Sequence, residues 1–231
     1  MEKIYGRSIM ILRNYLCEIP NFFTAEEVQK IHKYANTLPV DEGRVGDNRN
    51  DVDADDSDFN INDSIRRSTV KWFKNDSNLE FDMMGKIHEG LLQAKQVCGW
   101  EHQYNYIENL QYTIYRESTE TKGDFYTWHT DAGDTLYDNG MHRKLSFTIQ
   151  LTDPDEYEGG HFQWLEPQGE FNRLDSSLQV DLHNAVRTVP FSSKSKGSMI
   201  IFPSFLYHQV TPVLRGTRIS LVGWCVGNPY V

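Results

Sequence analysis

The chain has 231 residues, 39% of them apolar and 24% charged, which suits one compact domain and excludes disorder as the dominant state. A mean hydropathy of −0.59, without any uncharged apolar run near the ~20 residues of a bilayer span, excludes a transmembrane helix. A formal charge of −10 disfavours long-range attraction to nucleic acid or anionic lipid, so neither nucleic acid nor a membrane is expected as a partner.

In MEKIYGRSIMILRNYLCEIP, Arg13 interrupts the apolar stretch before signal-peptide length and no small-residue cleavage site follows, so export is not expected. Residues 8–17 within it contain a short apolar run that reads as a strand. Thr24-Ala25-Glu26-Glu27 matches a capping box, and Val28, Ile31 and Ala35 continue at helical spacing to about Leu38. The acidic stretch that follows, 41–63, reads as a loop. Its Asp51, Asp53 and Asp55 alternate like the first ligands of an EF-hand. Asp56, however, stands where the turn needs Gly, and Asn62 where a bidentate Glu is required, so a solvated acidic loop is expected.

Residues 65–73, IRRSTVKWF, read as a strand, and Phe81 to Val97 as a helix with Met84, Ile87, Leu91 and Ala94 on its apolar face. From about Tyr104 the texture changes to short β-rich runs: QYTIY, DFYTWH, KLSFTIQL, GHFQWL, NAVRTV, SMIIF, YHQVTPV and RISLVGWCV. Such a series argues for a β-sandwich or barrel. The polar segment 166–196 between two of these runs is a candidate lid or insertion. No repeat or linker separates the halves, so a single domain over 1–231 is expected, with 1–100 as a helical N-terminal support and 101–231 as the β core. Three widely spaced cysteines, Cys17, Cys98 and Cys225, without a CxxC pair encode neither a disulfide framework nor a thiolate zinc site. A reducing, cytoplasmic setting is expected.

His129-Thr130-Asp131 places an imidazole and a carboxylate two residues apart at the end of a β run, where i and i+2 share a face. With His208 from a later run they make the two-His, one-carboxylate set of non-haem Fe(II) oxygenases, which leaves positions open for co-substrate and O₂. Arg218 follows ten residues after His208, with Ser220 two further along the same strand face. A guanidinium fork beside a hydroxyl suits a carboxylate, and an Arg inside an apolar run is poorly placed for a surface ion pair.

Several motifs in order make the resemblance specific. GDFYTWHTD (123–131) resembles a G-x-x-Y-x-x-H-x-D pattern, RKLSFTIQLTDPDEYEGGHFQW (143–164) an R-x-L-S then Y-x-G-G segment, and HQVTPVLRGTRISLVGW (208–224) an H-x-V-x-P-V-x-x-G-x-R block. Together they resemble the prolyl 4-hydroxylase branch of the Fe(II)/2-oxoglutarate-dependent dioxygenases, most closely the PKHD-type hydroxylases, over about the last half of the chain.

That resemblance implies a mainly β fold with supporting α, a double-stranded β-helix of the jelly-roll or cupin-like kind with N-terminal helices. It implies Fe(II) held by His129, Asp131 and His208, with the far carboxylate of 2-oxoglutarate on Arg218 and Ser220 beside it. Tyr115 resembles the family tyrosine that lines the co-substrate pocket; the alternative is a core aromatic. Trp128 and Trp224 are candidates for the substrate cleft, or packing aromatics. His161 stands where the family has Glu or Thr, and is expected on an outer strand; the alternative is an extra ligand. The implied activity hydroxylates a C–H bond while 2-oxoglutarate is decarboxylated to succinate, with O₂ consumed and ascorbate as a stimulant. The implied partner is a peptide or protein substrate containing proline. The alternatives are the same chemistry on a free amino acid or other small molecule, or a cupin-like metal-binding module without oxygenase activity. A nucleic-acid demethylase of the superfamily is disfavoured, since it would carry a second Arg where Trp224 stands.

Overall fold

The computed structural model describes residues 2–4, 7–13, 15–43, 63–74, 79–133, 135–166, 185–190 and 195–229. Most of the acidic stretch 41–63 and of the insertion 166–196 lies outside them.

The chain opens with β1 (Glu2–Ile4), β2 (Arg7–Arg13) and β3 (Leu16–Ile19). The one strand expected over 8–17 is divided between β2 and β3, which pair antiparallel with Ile11 opposite Cys17. Helix α1 (Ala25–Ala35) starts at the predicted capping box: the Glu27 amide donates to Thr24 Oγ1 at 3.2 Å and the Thr24 amide to Glu27 Oε2 at 2.7 Å. It stops short of Leu38 because the Thr37 and Leu38 amides turn to the carbonyls of Tyr34 and Ala35, a tightening that ends the α-helical ladder.

β4 (Asp41–Glu42) is followed by β5 (Arg66–Arg67) and β6 (Thr69–Phe73). The predicted strand 65–73 thus breaks at Ser68, and its two pieces join different sheets. Helix α2 (Met83–Cys98) is capped by the Asp82 carboxylate, which accepts from the Gly85 amide, and ends on the left-handed Gly99.

The remaining strands are β7 (Tyr106–Ile107), β8 (Leu110–Arg116), β9 (Phe125–His129), β10 (His142–Gln150), β11 (Tyr157–Gly159), β12 (Phe162–Leu165), β13 (Val186–Thr188), β14 (Met199–Pro203), β15 (His208–Val210) and β16 (Val213–Gly227). The major sheet runs β1-β2-β3-β14-β10-β16-β8-β6-β4, with β7 and β11 also pairing β16; the minor sheet runs β13-β12-β15-β9-β5. Every pairing is antiparallel, and the fold is the mainly β, two-sheet architecture expected. The first hundred residues are more than a helical support, since they also contribute β1 to β6.

The period of two in the central strands sorts their side chains into two layers. Leu110, Tyr112 and Ile114 of β8, Leu145, Phe147 and Ile149 of β10, and Leu221 and Cys225 of β16 share one apolar cluster with both helices. The alternate residues Gln111 and Tyr115, Thr148, Arg218, Ser220 and Trp224 face a cavity between the sheets. Both faces are buried, which explains why polar side chains such as Thr113, Ser146 and Ser220 have almost no exposure.

Gly223 sits between these layers, and a Cβ there would lie 2.2 Å from Phe147 Cζ and 2.7 Å from Leu110 Cδ2. Gly223→Ala is expected to destabilise the protein by about 1–3 kcal/mol through overpacking, read as a lower urea midpoint at unchanged slope. An unchanged midpoint would show that the Phe147 ring has room to yield.

Candidate active site

β9 and β15 pair with His129 directly opposite His208, so both imidazoles leave the minor sheet on the same face, ring centroids 4.2 Å apart. Asp131 is not on the strand. β9 ends at His129, and the chain turns so that the Asp131 and Ala132 amides both donate to the Ser204 carbonyl at 2.9 Å. The simple i, i+2 strand argument is thus replaced by a clamped turn, which still returns the carboxylate to the imidazoles. Asp131 Oδ1 lies 3.7 Å from His129 Nε2, and Oδ2 lies 3.6 Å from His208 Nε2. One ligand atom from each of the three residues falls within 4.8 Å of the others.

The tautomers are set by the chain itself. His129 Nδ1 donates to its neighbour's carbonyl, Thr127 O, at 2.8 Å, and His208 Nδ1 to Leu206 O at 2.9 Å. Each ring then presents an Nε2 lone pair toward Asp131, the arrangement in which an outer partner orients a metal-ligating histidine. Burial, followed by the neighbouring His208, pushes the His129 imidazole down to about 3 and keeps it neutral. Burial pushes the Asp131 carboxyl up, but His208, His129, Arg143 and a Ser146 hydrogen bond outweigh it and bring it to about 2. Two Nε2 atoms flanking an ionised carboxylate fit a divalent cation. Rings wall the cluster: Tyr126 stacks on His129 at 3.5 Å, and Phe162 and Phe202 lie 5.4 Å and 4.8 Å from His208.

Across the cavity, Arg218 is 4% exposed on β16. Its Nη1 donates to Ser220 Oγ at 3.3 Å, and its guanidinium lies 5.5 Å from the Tyr115 ring centroid. Among the described residues no carboxylate lies within 4.0 Å of it, so a buried cation is left with a hydroxyl and an aromatic face as its neighbours. That environment fits an incoming carboxylate. Burial pushes the Tyr115 phenol up, so it remains a proton donor facing the same space. Tyr115 therefore lines the cavity rather than serving only as a core aromatic.

The His129, Asp131 and His208 cluster and the guanidinium share one cavity of about 750 Å³. Trp224 lines it, 6% exposed, and its indole N–H has no hydrogen-bond partner among the described residues. Trp128 does not line it. Strand alternation turns Trp128 to the face opposite its neighbour His129, where it stacks on Tyr207 at 6.4 Å. His161 stands outside the cluster and the cavity lining; its amide donates to Thr211 Oγ1 and its carbonyl accepts from the Thr211 amide, as an outer-strand residue would.

Arg143, Glu108, Ser146 and Arg66 went unassigned in the sequence. A bulge between Arg143 and Leu145 shifts the β10 register, so Arg143 falls on the cavity side with its partner Val226, while Leu145 faces the helices. There Arg143 pairs with Glu108, Nε to Oε1 at 3.0 Å, and covers the Trp224 ring at 3.7 Å. Tyr137 Oη donates to the same Glu108 carboxylate at 2.6 Å. Arg143 and Ser146 both lie within the R-x-L-S motif, and their electrostatic and hydrogen-bonding effect on Asp131 gives that motif a physical role. Arg66 of β5 is buried, donates to Ser68 Oγ and Gln111 Oε1, and covers the Tyr126 ring at 4.7 Å.

The profile of the family described as "2OG-Fe(II) oxygenase superfamily" matches residues 110–226. A PKHD-type hydroxylase of Prochlorococcus marinus is 34% identical over 110 residues, covering 46% of this chain and 38% of that protein. One from Synechococcus sp. (strain CC9605) is 36% identical over 107 residues, covering 46% and 39%. The matched segment thus spans less than half the length of these curated relatives. Among solved structures, a Pseudomonas putida prolyl-4-hydroxylase superposes with a TM-score of 0.56 at 17% identity, covering 91% of each chain. A prolyl hydroxylase from Trichoplax adhaerens, in complex with a hypoxia inducible factor peptide fragment, gives 0.58 at 17% identity, covering 92% of this chain and 83% of that one. At these identities the likeness to the solved structures concerns the fold.

Proposed function

The chain belongs to the 2OG-Fe(II) oxygenase superfamily, and on that premise we propose that it hydroxylates a prolyl residue of a peptide or protein, using Fe(II), 2-oxoglutarate and O₂ and releasing succinate. The observation that carries the proposal is one cavity holding both the His129, Asp131 and His208 cluster and Arg218, which has no carboxylate within 4.0 Å among the described residues. The three clustered residues would hold the ferrous ion, and Arg218 with Ser220 would anchor the far carboxylate of 2-oxoglutarate, Tyr115 lying alongside. When bound, the ion would activate O₂, the oxidant, with 2-oxoglutarate supplying two of the electrons O₂ takes up and the substrate C–H bond the other two.

The chain's own work is positioning and exclusion of water. Thr127 O and Leu206 O hold the imidazoles in one tautomer, the Ser204 carbonyl fixes the turn that carries Asp131, and Tyr126, Phe162 and Phe202 wall the imidazoles. No general acid or base is required of the protein. The cavity of about 750 Å³ exceeds the needs of a five-carbon co-substrate and leaves room for a substrate residue. Trp72 and Tyr106, each 40% exposed, extend its wall toward solvent as an aromatic rim suited to an extended Pro-containing segment. The whole of 1–231 is read as one catalytic domain, because early strands join the same sheets as the site residues. Free thiols at Cys17, Cys98 and Cys225 support a reducing cytoplasm. No helix among the described residues is long and apolar enough to cross a membrane.

The test is succinate formation from 2-oxoglutarate with Fe(II) under air, with and without proline-containing peptides. Peptide-stimulated turnover with an oxygen added to the peptide is expected; turnover stimulated only by free amino acids would move the substrate to the small-molecule class, and no succinate under any condition would sink the oxygenase. Trp224→Phe keeps the ring but removes the unpartnered N–H. It is expected to raise the peptide KM about 2–10-fold, the worth of one hydrogen bond, with the KM for 2-oxoglutarate unchanged. Equal KM values for peptide in both proteins would leave Trp224 a packing residue only.

A further inference from the structure

The cavity changes character from its interior to its mouth. The cations among its lining residues are Arg66, Arg143 and Arg218, all buried. Arg143 is paired with Glu108, and Arg66 donates to Ser68 and Gln111. Toward solvent the wall is built in part by β4 and β6. Asp41 stands opposite Val70, and Val70 and Trp72 share the strand face that lines the cavity, so Asp41 and Trp72 are diagonal neighbours on one face. Asp41 is half-buried, and Glu42 and Trp72 are exposed. By sequence, the stretch 41–63 that begins at these carboxylates holds nine Asp and Glu against two Arg, seven of the chain's ten net negative charges.

Deeper in the same cavity, Trp224 is 6% exposed, and its N–H has no acceptor among the described residues. The two features lie near one another. β6, β8 and β16 run side by side, with Trp72 opposite Gln111 and Gln111 opposite Val222, two residues from Trp224. Strand spacing and rise put the two tryptophan Cα atoms roughly 12 Å apart, a span that one or two residues of extended chain and a long side chain cover.

We propose that the substrate segment carries a cationic side chain within two residues of the one presented to the His129, Asp131 and His208 cluster. A backbone carbonyl of the segment accepts from the Trp224 N–H, and the neighbouring ammonium or guanidinium lies against the Trp72 ring with Asp41 and Glu42 as counter-charges. The inference rests on the prolyl-peptide reading and names the substrate class within it. A Pro nitrogen donates nothing, but every residue of such a segment offers a carbonyl, and a buried donor without an acceptor gains one on binding. At the mouth a cation keeps part of its hydration while meeting an indole face and two carboxylates, whereas an anion there meets like charge. Glu108 is not the counter-charge, since Arg143 and the Tyr137 hydroxyl already occupy it.

The test is calorimetric binding to the anaerobic full chain loaded with Fe(II) and 2-oxoglutarate. The probes are N-acetylated, C-amidated hexapeptides with one Pro flanked on both sides by Lys, Gln or Glu. Expected is Lys tighter than Gln by about 3–30-fold and Glu weaker than Gln, with the spread narrowing at high salt. Glu42→Lys should bring the Lys-to-Gln ratio to one or below, and Trp72→Leu should reduce it. Each ratio compares two peptides on one protein preparation, so a partly unfolded variant does not shift it. Equal affinities, tightest binding of the Glu peptide, a ratio that Glu42→Lys leaves unchanged, or no peptide bound would each overturn the inference. Mass analysis after exposure to air separates it from the reading beneath it. Oxygen added to the Pro peptides with a Lys-to-Gln ratio of one sinks the cation preference alone; the expected ratio with no oxygen on any Pro peptide sinks the prolyl substrate alone.

Discussion

His208→Asn is expected to weaken Fe(II) binding by more than about 100-fold, since loss of an outer-shell partner alone reaches that figure in metal sites. Succinate formation should fall to background. The reason lies in how few groups face the cluster: His208 supplies one of its three ligand atoms, and among the described residues no other His, Cys, Asp or Glu joins them. His161→Ala, whose side chain lies outside the cluster and the cavity, should leave both quantities unchanged. Calorimetric titration of the anaerobic protein with Fe(II), alongside the succinate assay, makes the comparison. Wild-type affinity in His208→Asn would mean that the metal sits elsewhere, and equal loss in His161→Ala would point to a general structural fault.

For Arg218→Met, two measurements should move in different directions. Affinity for 2-oxoglutarate should drop by at least about 30-fold, because truncating one partner of a desolvated charge pair costs roughly 2–5 kcal/mol. The Tm of the protein without co-substrate should hold or rise, because among the described residues no carboxylate partner is stranded when the guanidinium goes and a buried charge is removed. Arg218→Lys should fall between, with the charge kept but the fork lost. Undiminished 2-oxoglutarate affinity in Arg218→Met would rule out Arg218 as the anchor. A lower Tm with unchanged affinity would make it a structural residue.

Much of the site was legible because its residues sit in short motifs whose spacing is set by strands. His129 with Asp131, and Arg218 with Ser220, are local pairs, and alternation along one strand or across one turn is enough to bring each pair together. The helices were legible for a similar reason: a capping box and three apolar positions specified the start and buried face of α1. What the sequence did not settle shares a cause. Trp128, a cleft candidate or a packing aromatic by sequence, lies outside the cavity lining because the same alternation turns it from the face of His129. Residues 65–73 read as one strand because periodicity carries no record of which sheet a segment joins; Arg66 pairs opposite Tyr126 in one sheet and Thr69 opposite Ile114 in the other.

What the sequence alone determined is the chemistry available: a set of two imidazoles and a carboxylate, a guanidinium within an apolar run with a hydroxyl two residues on, and a β-rich half able to wrap them. These depend on residue type and on spacings within a strand or turn, where geometry is nearly invariant. Only the tertiary structure decided which distant residues share the cavity. The β10 bulge moves Arg143 onto Trp224, Glu108 arrives from another part of the chain to neutralise it, Ser146 meets Ser204, and the Trp224 N–H is left without a partner among the described residues. Such pairings follow from sheet register and bulges, which arise from the packing of two whole sheets and leave no local periodicity to read.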